Sequence, residues 1–248
     1  MKGNIIMISL KKIKTSALLI LVSVLLSACG ANQIALTKAD KASINTVAIN
    51  KIDKPIYQLS NKGSGAAAFG AIGGLIAGSE AEELANRLTA ITESQKLSVN
   101  ADLEERLATE LKRMGYNVHF IQLKRPDKMS AFENFKTIKY SKADVILDVV
   151  VPTAGFSTEH FMMSPEWRPD IRAIVAMGKP GADKLIYSET FMYGYHNPFM
   201  SGVEIDAAKE FMLDDEAAVL KDNGKNFVLG LREAVAAIAK NIAAALSK

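Results

Sequence analysis

The chain has 248 residues, 49% of them hydrophobic, with 30 Lys and Arg against 27 Asp and Glu and a single cysteine. One cysteine excludes a disulfide framework, and the near balance of charge offers no basic footprint for nucleic acid. The apolar fraction is enough to bury the core of one domain, or of two small ones.

Residues 1–28 read as a signal peptide. Lys11, Lys12 and Lys14 precede an apolar run from Ala17 to Leu26, and Leu26, Ser27 and Ala28 lead into Cys29. That order of charged, apolar and small residues is what a signal needs, and the run is shorter than the roughly 20 residues that cross a bilayer. Met7 is an alternative start. The signal holds Lys2, Lys11, Lys12 and Lys14 and no acid, which leaves 26 basic against 27 acidic residues and a net charge of −1 in the remainder. A lone cysteine in an exported chain has no intramolecular partner and is expected to be modified. The stretch Leu26-Ser27-Ala28-Cys29 resembles the lipobox of bacterial lipoproteins. That resemblance implies cleavage before Cys29 and three acyl chains, palmitate among them, on the mature cysteine. Gly30 follows where an Asp would signal retention in the inner membrane, so the expected location is the outer membrane, facing the periplasm. Residues 29–43, polar and small, read as a lipidated tether.

Residues 44–49 and 56–59 read as two short strands, with Pro55 at a strand start. Residues 63–78 carry no charge, and Ala66, Gly70, Gly74 and Gly78 recur every four residues. On a helix these four make one small-residue stripe that admits a second helix backbone, a helix-packing face. Gly63, Gly65 and Ala68 formally fit a dinucleotide-binding turn, but the acid that should close a second strand falls at Glu82 and Glu83 in a helical pattern. No cofactor is expected. Residues 80–92 continue the helix with Leu84, Leu88 and Ile91 on one face. A second helix spans residues 100–114, with Asn100 as cap, Leu103, Leu107 and Leu111 on one stripe and Gly115 at its end.

Residues 116–123 alternate as a strand, with Tyr116, Val118 and Phe120 on one side. Residues 124–142 are irregular, with a short helix around 129–135. Residues 143–151 are nearly all apolar, a strand buried on both faces. Residues 155–169 read as a long loop holding Trp167. Residues 171–177 and 184–195 form a hairpin around strong turn residues. A short helix is expected at 205–212. Phe227, Leu231, Val235, Ile238, Ile242 and Leu246 mark a C-terminal helix.

This order predicts an α+β fold, a mixed and largely antiparallel sheet with packed helices, preceded by the signal peptide and the Gly/Ala-rich helical segment. Residues 44–248 would form a single periplasmic domain with an insert at 63–78. The helix over 103–114, Gly115-Tyr116-Asn117-Val118, the run Ala143-Asp144-Val145-Ile146-Leu147-Asp148-Val149 and the hairpin ending in Leu185-Ile186-Tyr187 resemble a group of periplasmic lipoproteins. Their fold is similar to the curli-secretion lipoprotein and to the N-terminal domain of the Tol-system translocation protein, over residues 45–247. The Gly/Ala insert departs from that pattern, so the curli protein's pore-forming role is not carried over.

Chemistry is sparse. His119 lies in a strand and reads as structural. His160, Met162, Met163, Met192, His196 and Met200 could bind a soft metal, but methionine more often fills gaps, and no metal site is expected. Asp214, Asp215 and Glu216 read as a solvated face or a helix start. No catalytic residue is assigned, and no enzyme is expected. The expected function is a non-enzymatic assembly, scaffolding or secretion-accessory lipoprotein. One alternative is an oligomeric, membrane-associated secretion or transport component using the glycine-rich helix. Another is a periplasmic ligand binder or hydrolase using residues 155–170. Expected partners are the membrane, through the lipid, further copies of the chain and an envelope protein, with no nucleic acid.

Overall fold

The computed structural model describes residues 33–61, 79–159, 164–194 and 201–247. Leu26, Ser27, Ala28, Cys29 and the stripe of Ala66, Gly70, Gly74 and Gly78 lie outside the described residues, as do His160, Met162, Met163, His196 and Met200.

The helices are α1 (Lys38–Ser43), α2 (Ser79–Ser94), α3 (Val99–Arg113) and α4 (Glu216–Ala245). The strands are β1 (Thr46–Asn50), β2 (Ile56–Asn61), β3 (Asn117–Ile121), β4 (Val145–Val150), β5 (Thr153–Glu159), β6 (Ser164–Gly178), β7 (Leu185–Tyr193) and β8 (Val203–Ile205). All eight join one mixed sheet, giving an α+β fold. β4 is buried along its whole length and pairs parallel with β1 and antiparallel with β6. Past Val151 and Pro152 the chain resumes as β5, antiparallel to the first half of β6. The 15-residue β6 therefore holds both β4 and β5 on one edge and β7 on the other. Every antiparallel ladder involves β6; the β1–β3, β1–β4, β2–β5 and β7–β8 ladders are parallel.

Strand alternation divides the sheet into two faces. Val47, Ile49, Val145, Leu147, Val149, Ala173 and Val175 point to the helices, where they meet Leu88, Leu103, Leu107, Leu111 and the α4 stripe in one core. All six residues of that stripe, from Phe227 to Leu246, are buried. On the other face Ala48 and Ile146 are capped by Phe135, itself fully buried, with Phe132, Ile138 and Tyr140 around it.

Several local expectations are corrected. Residues 155–159 and 164–169, expected within a loop, are strand: they form most of β5 and the start of β6, and Trp167 exchanges two backbone hydrogen bonds with Leu213 at 2.7 and 2.8 Å. Gly155, Pro165 and Pro169 disguise the strands, since glycine and proline normally weaken a ladder. Residues 129–135 form turns, with Asp127 accepting from the N–H of Met129. In place of a helix at 205–212 there is β8 and a single 3-10 turn, Lys209–Phe211. Asn100 lies inside α3 and donates to the Ile52 carbonyl instead of capping. Phe120 shares the side of Val118 but is 44% exposed, because β3 is an edge strand.

The C-terminal helix is broken by left-handed residues Asp222, Asn223 and Gly224, after which it runs straight to Ala245. Its Gly230 lies against β5 and β6, where an added Cβ would stand 2.6 Å from Phe156 Cζ and 2.8 Å from Pro169 Cγ. A Gly→Ala change in an exposed helix gains about 1 kcal/mol. Gly230→Ala is expected instead to lose about 1–3 kcal/mol through overpacking, read as a lower urea midpoint.

Candidate functional site

Asp148 is the one charged residue of β4, and its side chain is fully buried. A carboxylate there requires a cation and filled hydrogen bonds. Arg125, from the segment after β3, supplies both: its Nε donates to Asp148 Oδ1 at 2.9 Å and its Nη2 at 2.6 Å. Nη1 donates to Asp53 Oδ2 at 2.7 Å, and Nη2 reaches the carbonyls of Lys51 and Val149, each at 3.1 Å. Asn50, opposite Asp148 on β1, donates to Asp148 Oδ1 at 2.8 Å and accepts from the Leu123 N–H at 2.8 Å. The Phe132 N–H donates to Asp148 Oδ2 at 2.9 Å. Both carboxylate oxygens are thus engaged. The cluster binds the β1–β2 link, the segment 122–132 and β4 together.

A second anchoring point lies at the start of β4. Asp144 Oδ2 accepts the N–H groups of Asn45 and Thr46 at 2.8 and 2.9 Å. These backbone bonds, with Lys179 nearby, hold its carboxyl below the usual carboxylate range.

The N-terminal run, expected as a free tether to residue 43, is docked from residue 33 onward. Ile34 exchanges two backbone hydrogen bonds with Ser188 on β7, each 2.9 Å, and Gln33 Nε2 donates to Glu189 Oε1 at 3.0 Å. Leu36 packs on the main core. Thr37 and Asp40 form a reciprocal capping box that starts α1, a pairing that satisfies two otherwise orphaned donors. In sequence, Cys29 stands four positions before Gln33, the first docked residue described.

The remaining sequence candidates are scattered. His119 is exposed on β3 and Met192 is buried in β7. Asp215 caps α4, its Oδ1 accepting from the Ala218 N–H at 2.6 Å, so the acidic cluster there is a helix start. The hydroxyls of Ser157, Thr158 and Tyr187 are buried without a hydrogen-bond partner among the described residues. Burial, with Glu189 adding to it, pushes the Tyr187 phenol well up, and burial lowers the Arg172 guanidinium. An open groove of about 560 Å³ between α3 and α4 is lined by Asp102, Glu105, Arg106, Glu110 and Arg232, among others, with acid and base interspersed. Among the described residues no group of three His, Cys, Asp or Glu side chains could hold a metal ion.

Sequence reasoning missed the Arg125–Asp148 cluster. Its signal was Asp148 itself, an acid inside an otherwise apolar buried run, which calls for a buried cation elsewhere in the chain. No protein-family model matches the chain, and a search of curated proteins gives no match.

Two predictions follow the geometry. Asp148→Asn removes the buried one of the two carboxylates on Arg125 and leaves it the part-exposed Asp53; it should destabilise by about 3 kcal/mol, while Arg125→Met combined with Asp148→Leu should recover part of that loss; urea unfolding of the three chains decides. Asp144 has a depressed folded pKa, so its contribution is fully present above the unfolded value of about 3.9 and is lost as the pH falls through the lower folded value. Its carboxyl midpoint, followed by NMR, should lie below that of an ordinary aspartate, and Asp144→Asn should flatten the acid limb of the stability curve.

Proposed function

We propose that the chain is a lipid-anchored envelope lipoprotein that acts without catalysis, as an assembly, scaffolding or secretion-accessory protein at the outer membrane. The observation that carries this reading is Leu26-Ser27-Ala28-Cys29 at the end of a lysine-led apolar run. Several acyl chains on one cysteine hold a protein firmly, since each buried methylene adds about 0.8 kcal/mol. Support comes from how the body begins. Gln33 and Ile34 are fixed to β7 by three hydrogen bonds, so a lipid on Cys29 would tie the fold directly to the bilayer surface. The non-catalytic part of the reading draws on the buried charges, which are used to hold the sheet and its covering segment.

The intact mass of the protein recovered from bacterial membranes tests it. The expected mass corresponds to cleavage before Cys29 and three acyl groups, and Cys29→Ser should abolish both the processing and the acylation. A mature chain of unmodified mass, or one retaining residues 1–28, would sink the proposal.

A further inference from the structure

Charge is distributed unevenly along β7. At its N-terminal end the β6–β7 turn brings Lys179 and Lys184 beside the segment carrying Lys136, Lys139 and Lys142, all five exposed. The two segments are joined by backbone bonds: the Phe135 N–H donates to the Ala182 carbonyl at 3.0 Å, and the Gly181 N–H donates to the Phe135 carbonyl at 2.9 Å. Three carboxylates stand in or beside this group. Asp183 pairs with Lys136 at 3.1 Å, Asp144 accepts two backbone N–H groups and feels Lys179 at longer range, and Glu133 is exposed two residues before Phe135. Among the described residues Lys139, Lys142, Lys179 and Lys184 make no ion pair within 4 Å. Between the segments runs an open groove of about 480 Å³ lined by Ile138, Lys139, Tyr140, Ser141, Pro180 and Gly181. At the other end of β7, β8 and the residues after it carry Glu204, Asp206, Glu210, Asp214, Asp215 and Glu216 against Lys209 alone.

We propose that the lysine end is a docking surface for the phosphate-bearing face of an anionic phospholipid bilayer. The lysines meet the lipid phosphates, each worth about 1 kcal/mol near such a surface. Tyr140, Ile138 and Pro180, half-buried around the groove, supply the amphipathic contacts that suit the headgroup level. The acidic end is repelled by the same surface and faces away. The length of chain ahead of the fold agrees. Residues 29–33 reach at most about 17 Å when extended, and Ile34 is fixed at Ser188, three residues along β7 from Leu185, or about 10 Å. A lipid on Cys29 can therefore enter the bilayer on which the lysines rest. That last point depends on the lipoprotein reading; the lysine chemistry does not.

The test uses the chain produced directly from position 29 with Cys29→Ser, without residues 1–28 and so without an acyl group, sedimented with vesicles of pure phosphatidylglycerol or of pure phosphatidylcholine. Binding is expected only to phosphatidylglycerol, and to vanish near 1 M salt, where the screening length is about 3 Å. Replacing Lys139, Lys179 and Lys184 together by Gln should weaken it on the order of 100-fold, with an unchanged urea midpoint because all three are exposed. Equal binding to both vesicles, no binding to either, or unaltered binding by the triple variant overturns the proposal. So does salt-sensitive self-association of the parent chain in light scattering without vesicle binding, which would assign the lysines to the acidic end of a second copy. The acyl mass on native Cys29 is measured separately, so failure of the anchor and failure of the surface are distinguishable.

Discussion

The fold is organised around a charge that the sheet could not otherwise tolerate. Asp148 lies in the middle of a strand buried along its whole length, and a bare carboxylate there would oppose folding. Arg125 neutralises it and, with its other donors, takes hold of the β1–β2 link through Asp53 and Lys51. The same carboxylate anchors the covering segment through Phe132. One ion pair thereby places Phe135 over Ala48 and Ile146 and gives the second face of the sheet its small core. The pair matters less for the energy it adds than for the arrangement it enforces, because alternative packings would strand a buried charge.

What was legible in the sequence was periodic. Leu103, Leu107 and Leu111 and the stripe from Phe227 to Leu246 announce their helices and are buried as their spacing requires. The run from Val145 to Val150 announces a strand covered on both faces. The strands at 155–159 and 164–169 were illegible because Gly155, Pro165 and Pro169 are turn residues by composition, and only the long ladders with β2 and β6 make strands of them. The break in α4 left a faint trace, since Asp222, Asn223 and Gly224 are residue types that tolerate left-handed backbone. The Arg125–Asp148 partnership joins residues from different elements, and no local pattern encodes it. The run Leu26-Ser27-Ala28-Cys29 that resembles a lipobox and the small-residue stripe both fall outside the described residues.

The proposed anchor and the proposed docking surface give the molecule a polarity. The chain enters the fold at the edge of β7, lysines gather at one end of that strand, and acids gather near the other. On an anionic bilayer this arrangement would leave the acidic end as the surface offered to other envelope components. A scaffolding protein needs such an orientation, since a partner must meet the same face every time.

The order of the strands also sets when the protein can fold. β1 emerges first but ends in the interior of the sheet, with β3 on one side and β4 on the other. Thr46 waits for Asn117 and Val47 for Val145, partners about 70 and 100 residues further along, and such non-local pairing is slow to form. Asn50 cannot meet Asp148 until about three-fifths of the chain has appeared. A chain built this way leaves the apolar β1 in need of protection until β4 arrives.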